Sequence, residues 1–423
     1  MNSIDTLLQS IPIPRMAKVL QTFDGCKVPD VEKDLLLKLR KNGILKKIKA
    51  GQRIAISAGS RGITSLPSIL KTLVEELKGL GANPFLFPAM GSHGGATPDG
   101  QLALLRGLGV SEEYVGAPIY ASMETVQVGI SKNGFPAHIS KVAYDADGII
   151  VLNRIKPHVA FRGKCESGLM KMVVIGMGKQ KGADICHELG PGKMAENIMS
   201  IGQAILDNTN VIAGIAILEN AYHETAHLEV LSGNDIPLQE PALLQRAWHL
   251  YPKIYFDSLD VLIIDEIGKD ISGTGFDTNI VGRYHTDYVS GGPKITRIAA
   301  LDLTDRSHGN GNGLGILDFT TIRAFRKFSF ESTYPNSLTS TIPATVKIPM
   351  VLKNDRQVIQ AAIKTCNIAD KNKVRMVRIK NTVKLNEIYV SENLLVEVEK
   401  NTCLKQLSDP VHQPFDKEGN FLS

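Results

Sequence analysis

The chain has 423 residues, 43% of them hydrophobic and 22% charged, a composition that excludes a disordered protein and suits two or three folded cores. A formal net charge of +5 is slight, and the densest basic stretch, residues 40–53 (RKNGILKKIKAGQR), offers no ring to stack on a base, so nucleic-acid binding is not expected. Five widely spaced cysteines without a CxxC pair read as reduced thiols, and no run approaches the roughly 20 apolar residues of a membrane span, so the sequence reads as that of a cytoplasmic protein.

Residues 53–57 (RIAIS) predict a strand that runs into the glycine-bearing turn 58–63. Leu66, Ile69, Leu70, Leu73, Val74, Leu77 and Leu80 follow at helical spacing, opened by Ser65 and Pro67 and closed by Gly79 and Gly81. Residues 84–87 form the next strand and lead into 90–96 (MGSHGGA), after which Thr97 caps a helix with Pro98 in its first turn. Residues 148–152 (GIIVL) predict a buried strand feeding the segment 153–171. Met194, Ile198, Ile201 and Ile205 mark another helix, and residues 211–218 another strand.

Strands alternating with amphipathic helices predict parallel sheets, and ligands of such sheets bind beyond the carboxyl ends of the strands. Three of those ends, after Ser57, Phe87 and Leu152, open into loops rich in Gly, His, Arg or Lys. A second unit restarts at 261–265 (VLIID) and continues through 294–303, a helix around 358–363, and strands at 374–379 and 387–390. The expected organisation is two α/β domains with Rossmann-like parallel sheets facing a central cleft. Residues 1–258 would carry the site, 259–400 would form the second domain, and 401–423 a tail free to pack back on the first.

Several motifs invite chemistry and fail on spacing. Residues 176–182 (GMGKQKG) place the last glycine of a dinucleotide fingerprint one position late, 308–315 (HGNGNGLG) also misses the spacing, and 268–273 lacks the GK[ST] ending of a phosphate loop. His223–His227 (HETAH) matches the zinc-peptidase pattern by letter, but that chemistry needs both histidines on one helical face. Here the motif falls between two strand-like runs, which predicts a loop. The segment 153–187 (NRIKPHVAFRGKCESGLMKMVVIGMGKQKGADICH) is richer: His158 and His187 bracket a basic loop broken by Ser167 and Gly168 before Lys171, and His93 lies in another strand-end loop. Imidazoles that titrate near neutrality beside a lysine amine point to acid–base and covalent chemistry.

PHVAFRGKCESGLMK resembles the "PH…SGGxK" segment of the nickel-dependent lactate racemase family, and MGSHGG resembles its "GTH" loop. Lys171 and His187 stand sixteen positions apart, the separation that family keeps between its cofactor-bearing lysine and its nickel-ligating histidine. The resemblance implies a 2-hydroxy acid racemase or epimerase using a nickel pincer nucleotide, a thiolated nicotinic acid mononucleotide derivative that holds Ni(II). It implies Lys171 as the tether, His187 as the nickel ligand, and His93 and His158 as acid and base on opposite faces of a small-molecule 2-hydroxy acid. Arg61 would sit near substrate and cofactor, and Ser167 and Gly168 in the cofactor loop. The chain departs from the family in places. His158 to Lys171 is three residues longer, which leaves Lys164 as a competing tether, Ala58 replaces an aspartate, and Gly94 follows His93. Residues 272–283 (SGTGFDTNIVGR) differ from the family's lysine- and glutamine-bearing loop. Asp277, Asn279 and Arg283 are expected there either as substrate ligands or as parts of a capped glycine turn. Two alternatives stay open: a zinc-type enzyme using the same histidines, and a non-enzymatic binder of an anionic metabolite.

Overall fold

The structure is a computed structural model and describes residues 3–422. It divides into two compact units. One spans Asp24–Tyr251, and the other joins the described residues up to Phe23 to those from Pro252 onward.

The first unit is built on a five-stranded sheet in the order Asn83–Pro88, Arg53–Ala58, Gly148–Arg154, Val211–Glu219, Thr225–Ser232. The first four strands are parallel and the last is antiparallel to its neighbour. Both faces are covered, which explains why the strands read as continuous apolar runs. Along Gly148–Arg154, Ile149 and Val151 enter one core with the helix Met194–Asn208, while Ile150 and Leu152 enter the other with the helix Leu66–Gly79. The stripe read from the sequence buries Leu66, Ile69, Leu70, Leu73, Val74 and Leu77, whereas Leu80 lies past the last turn and is exposed. Thr97 accepts the Gly100 N–H as expected of a cap, but the Ser65 side chain makes no capping bond. The helix Val31–Lys41, capped by Asp30, went unread because its short apolar stripe is crowded with lysine and glutamate.

The second unit carries an eight-stranded sheet. Met350–Leu352, Phe319–Thr321, Lys294–Ala300, Ser258–Ile264 and Met376–Ile379 run parallel, and Glu387–Ser391, Met16–Gln21 and Leu404–Gln406 complete it antiparallel. This moves the expected boundaries. Met16–Gln21 does not belong with the site-bearing domain, because its buried Met16, Ala17 and Val19 and its full backbone ladder pair with Glu387–Ser391. The division falls after Tyr251, earlier than position 258. The tail packs within this second unit: Met16 bridges to Val411, Phe415 stacks on Phe421 at 4.7 Å, and the Arg378 guanidinium lies 3.6 Å from the Phe421 ring centre.

Candidate active site

Among the parallel strands of the first unit, counted along the chain, the spatial order is second, first, third, fourth, so the order reverses between Arg53–Ala58 and Gly148–Arg154. Loops leaving such neighbours diverge to opposite faces and leave room for a ligand between them. The three loops singled out in the sequence meet here around the short helix Leu169–Lys171 and the wider turn Met172–Gly176, where the Met177 N–H reaches back five residues to Met172 O. A Cβ on Gly59 would lie 3.0 Å from the Met172 methyl, and one on Gly91 3.1 Å from Ile175. The Gly91 N–H donates to Gly176 O at 3.2 Å, and the Asn153 amide donates to Gly168 O at 2.9 Å. Ser60 Oγ is hydrogen-bonded to His93 Nδ1, which ties the first strand-end loop to the second.

Lys171 Nζ lies 2.7 Å from His158 Nε2. The other ring nitrogen, Nδ1, accepts the Ala160 N–H at 3.1 Å, so in the neutral ring the proton resides on Nε2. Nε2–H then donates to the lysine, and only an uncharged amine can accept it. The electrostatics shift the amine in that direction without completing the change: burial first, then Arg61 and Lys156, lower the Lys171 pKa to about 8 against an opposing pull from Cys186, which raises the neutral fraction above that of a free lysine. Arg61 has an exposed side chain whose own basicity is lowered by partial desolvation and by Arg154. Lys164, the competing tether, is exposed and lies outside this contact.

His187 closes the helix Lys179–His187 and donates Nδ1–H to Ala183 O at 2.7 Å, which leaves Nε2 as the lone-pair nitrogen. Burial is the main reason its pKa falls to about 4, and the Lys171 charge adds to the effect. The ring is therefore neutral at ordinary pH, the state that binds metals.

Two carboxylates that sequence reasoning missed hold this cluster in shape. Glu166 is buried and accepts the His158 N–H at 2.6 Å and the Gly163 N–H at 3.3 Å, and Arg162 faces it at 3.5 Å while donating to His158 O at 2.7 Å. The His158 ring also packs on Phe161, with centroids 4.3 Å apart. Glu240, on the helix Ile236–His249, is fully buried and accepts the Met170 N–H at 2.8 Å, capping the turn that carries Lys171. Gly168 is glycine for a packing reason: a Cβ there would lie 2.1 Å from Glu240 Oε1. Ser167 pairs its backbone with Lys156 in both directions, at 2.8 and 3.2 Å.

The remaining candidates have these local settings. His223 sits in a tight turn at φ +62°, and His227 lies on the strand Thr225–Ser232 with Nε2 3.2 Å from Glu229. The HETAH letters thus lack the helix a zinc peptidase needs, and no group of three metal-ligating side chains occurs among the described residues. In the second unit Asp277 caps the short helix Thr278–Val281 by accepting the Asn279 N–H, and Asn279 is buried. Arg283 pairs with Asp318 and donates to Ile295 O and Thr296 O at 3.1 and 3.0 Å. These bonds include the capped turn, and they leave the substrate reading of SGTGFDTNIVGR open.

Fold and site together define a doubly wound α/β unit with a lysine–imidazole cluster at its topological switch point. Residues 15–196 match the family model described as the lactate racemase N-terminal domain. The match includes Arg61, His93, His158, Lys171 and His187 and ends before Glu240. The solved structure of the lactate racemase apoprotein from Thermoanaerobacterium thermosaccharolyticum is similar to this chain with a TM-score of 0.52 and 12% identity, over 88% of this chain and 99% of that one. That likeness is one of fold. No curated protein matches the chain.

Proposed function

We propose that this chain is a racemase or epimerase of a 2-hydroxy acid that works with a nickel pincer nucleotide tethered at Lys171. The observation that carries the reading is the Lys171–His158 contact of 2.7 Å within the stretch that matches the lactate racemase N-terminal domain. The residues fit the group. Lys171 offers an uncharged amine for covalent attachment, His187 presents a neutral imidazole with its lone pair on Nε2, and Arg61 and Lys156 act electrostatically on the same amine, as cations beside a phosphate-bearing ligand would. When bound, that group supplies a reversible hydride acceptor.

The chain's own residues handle the protons and the carboxylate. Once the amine is acylated its nitrogen ceases to accept hydrogen bonds, and His158 Nε2 becomes available to a substrate hydroxyl. His158 and His93 then alternate as base and acid at the substrate oxygen: the base takes the hydroxyl proton on a lone-pair nitrogen, which for His158 means its own proton moves from Nε2 to Nδ1 and the Ala160 N–H bond is given up, and the acid returns a proton to that oxygen. Arg61 pairs with the substrate carboxylate. Ser60, bonded to His93 Nδ1, orients that ring as Ala160 and Glu166 orient His158.

The test is intact-mass and metal analysis of the full chain produced together with the cofactor-assembly enzymes, followed by chiral chromatography of a panel of 2-hydroxy acids. An adduct with nickel and sulfur that disappears in Lys171→Ala is expected. An adduct that survives that change and disappears in Lys164→Ala moves the tether. Protein with neither adduct nor racemisation removes the proposal.

A further inference from the structure

Lys179 has two features that cost free energy locally. It is 1% exposed, and its backbone adopts φ +57°, a left-handed conformation that side chains other than glycine rarely take. Burial of an amine and a strained backbone persist only where the surroundings enforce them, and such strain clusters at working sites. Its amine donates to Pro88 O at 2.5 Å and to Gln101 Oε1 at 3.0 Å. Gln101 is itself fully buried, and its Nε2 donates to Gly91 O at 3.1 Å and to His93 O at 3.3 Å.

These four bonds form one path. Lys179 opens the helix that ends in His187, Pro88 is the root of the loop carrying His93, and Gly91 and His93 are two points within that loop. Gly178, just before the lysine, has no room for a side chain, because a Cβ there would lie 2.2 Å from Val174 O. The residues that failed as a dinucleotide fingerprint, 176–182, thus have another use: they bring a lysine into the interior beneath the His93 loop. We propose that Lys179, acting through Gln101, is a positioning residue that fixes the His93 imidazole relative to the helix bearing His187. The inference rests on the reading of His93 as an acid–base group, but its test does not need turnover.

The test follows the histidine ring carbon-bound proton signals of the full chain, labelled with 13C-histidine, with the His93 signal assigned by its loss in His93→Asn. Lys179→Met keeps length and apolar bulk and removes the donor. A folded Lys179→Met chain should show a displaced His93 signal while the His158 signal stays in place. Gln101→Glu provides the second arm, since a carboxylate keeps the lysine's acceptor but turns oxygens toward Gly91 O and His93 O, and it too should displace the His93 signal. A lysine that merely fills space would leave that signal unmoved. An unmoved His93 signal in folded Lys179→Met overturns the proposal, and if that variant does not fold, an unmoved signal in Gln101→Glu overturns it.

Discussion

Beyond the parallel strands of the second unit, charges meet their opposites. Arg378 holds Asp265 at 2.6 Å, Arg323 reaches Asp302 at 3.2 Å and Asp355 at 2.9 Å, and Lys327 lies 3.1 Å from Asp302. Beyond the parallel strands of the first unit, Arg61 and Lys156 act on Lys171 as like charges, and burial moves the lysine further toward neutrality. The carboxylates of that region divide their work: Glu219 pairs with Arg154, Glu166 accepts from His158 and Gly163 while facing Arg162, and Glu240 accepts from Met170. Similar residue types thus brace one sheet edge, while at the other, beside the Arg154–Glu219 pair, the charges of Arg61 and Lys156 bear on Lys171. An edge of the second kind favours an anionic ligand, and the contrast can be tested one residue at a time.

Replacing either His93 or His158 by Ala should lower racemisation by roughly 10²–10⁴, the usual cost of a lost acid–base group. Near-normal rates in both variants would remove the functional side of the contrast. His187→Ala should strip most of the nickel while the organic adduct stays on Lys171, as metal analysis and mass spectrometry would show together. A fully retained metal would mean that another side chain is the ligand.

Glu240 gives a pH signature. Burial raises its pKa from 4.5 to about 7, so between those values the folded chain keeps a proton that the unfolded chain has lost. Stability should therefore fall as pH rises through that window, by about 3 kcal/mol. The difference between wild type and Glu240→Gln in denaturant unfolding isolates this term, because the glutamine variant lacks it. A pH-independent difference would show that the carboxylate titrates as it does in water.

At the amino ends of the second unit's parallel strands, Arg283→Met should cost about 1–3 kcal/mol by leaving Asp318 with only Arg297, 3.8 Å away. Thermal unfolding would measure the loss, and the mass of the Lys171 adduct should be unchanged. An adduct lost with Arg283 would make that residue part of the cofactor site.

The sequence was most legible where physics is local. Strands of the first unit announced themselves as apolar runs because both their faces are covered, and the helix Leu66–Gly79 by its stripe. Lys171 and His187 were singled out because one continuous segment carries the motif that resembles the racemase family's, and that segment folds around the Lys171–His158 contact. What went unread depends on long-range closure. Met16–Gln21 is short, follows two prolines, and finds its partners some 370 residues later. Ser60 and Glu166 matter only through loops that the fold brings alongside them. Glu240 did leave a trace: it occupies an apolar stripe with Ile236, Leu243, Leu244 and Ala247, where a carboxylate needs a buried donor to be tolerated. Lys179 left none, since nothing in GMGKQKG announces a left-handed backbone on a lysine.

The antiparallel ladder between Met16–Gln21 and Glu387–Ser391 also sets an order of events during synthesis. Asp24–Tyr251 can collapse as soon as it leaves the ribosome, because its sheet draws on no later segment. The strand made before it must wait, its edge unpaired, until translation has delivered the partner. Such a contact is slow to form and exposed to mispairing in the interval. A nascent chain halted anywhere short of Glu387 would thus carry a finished first unit and an unfinished second sheet.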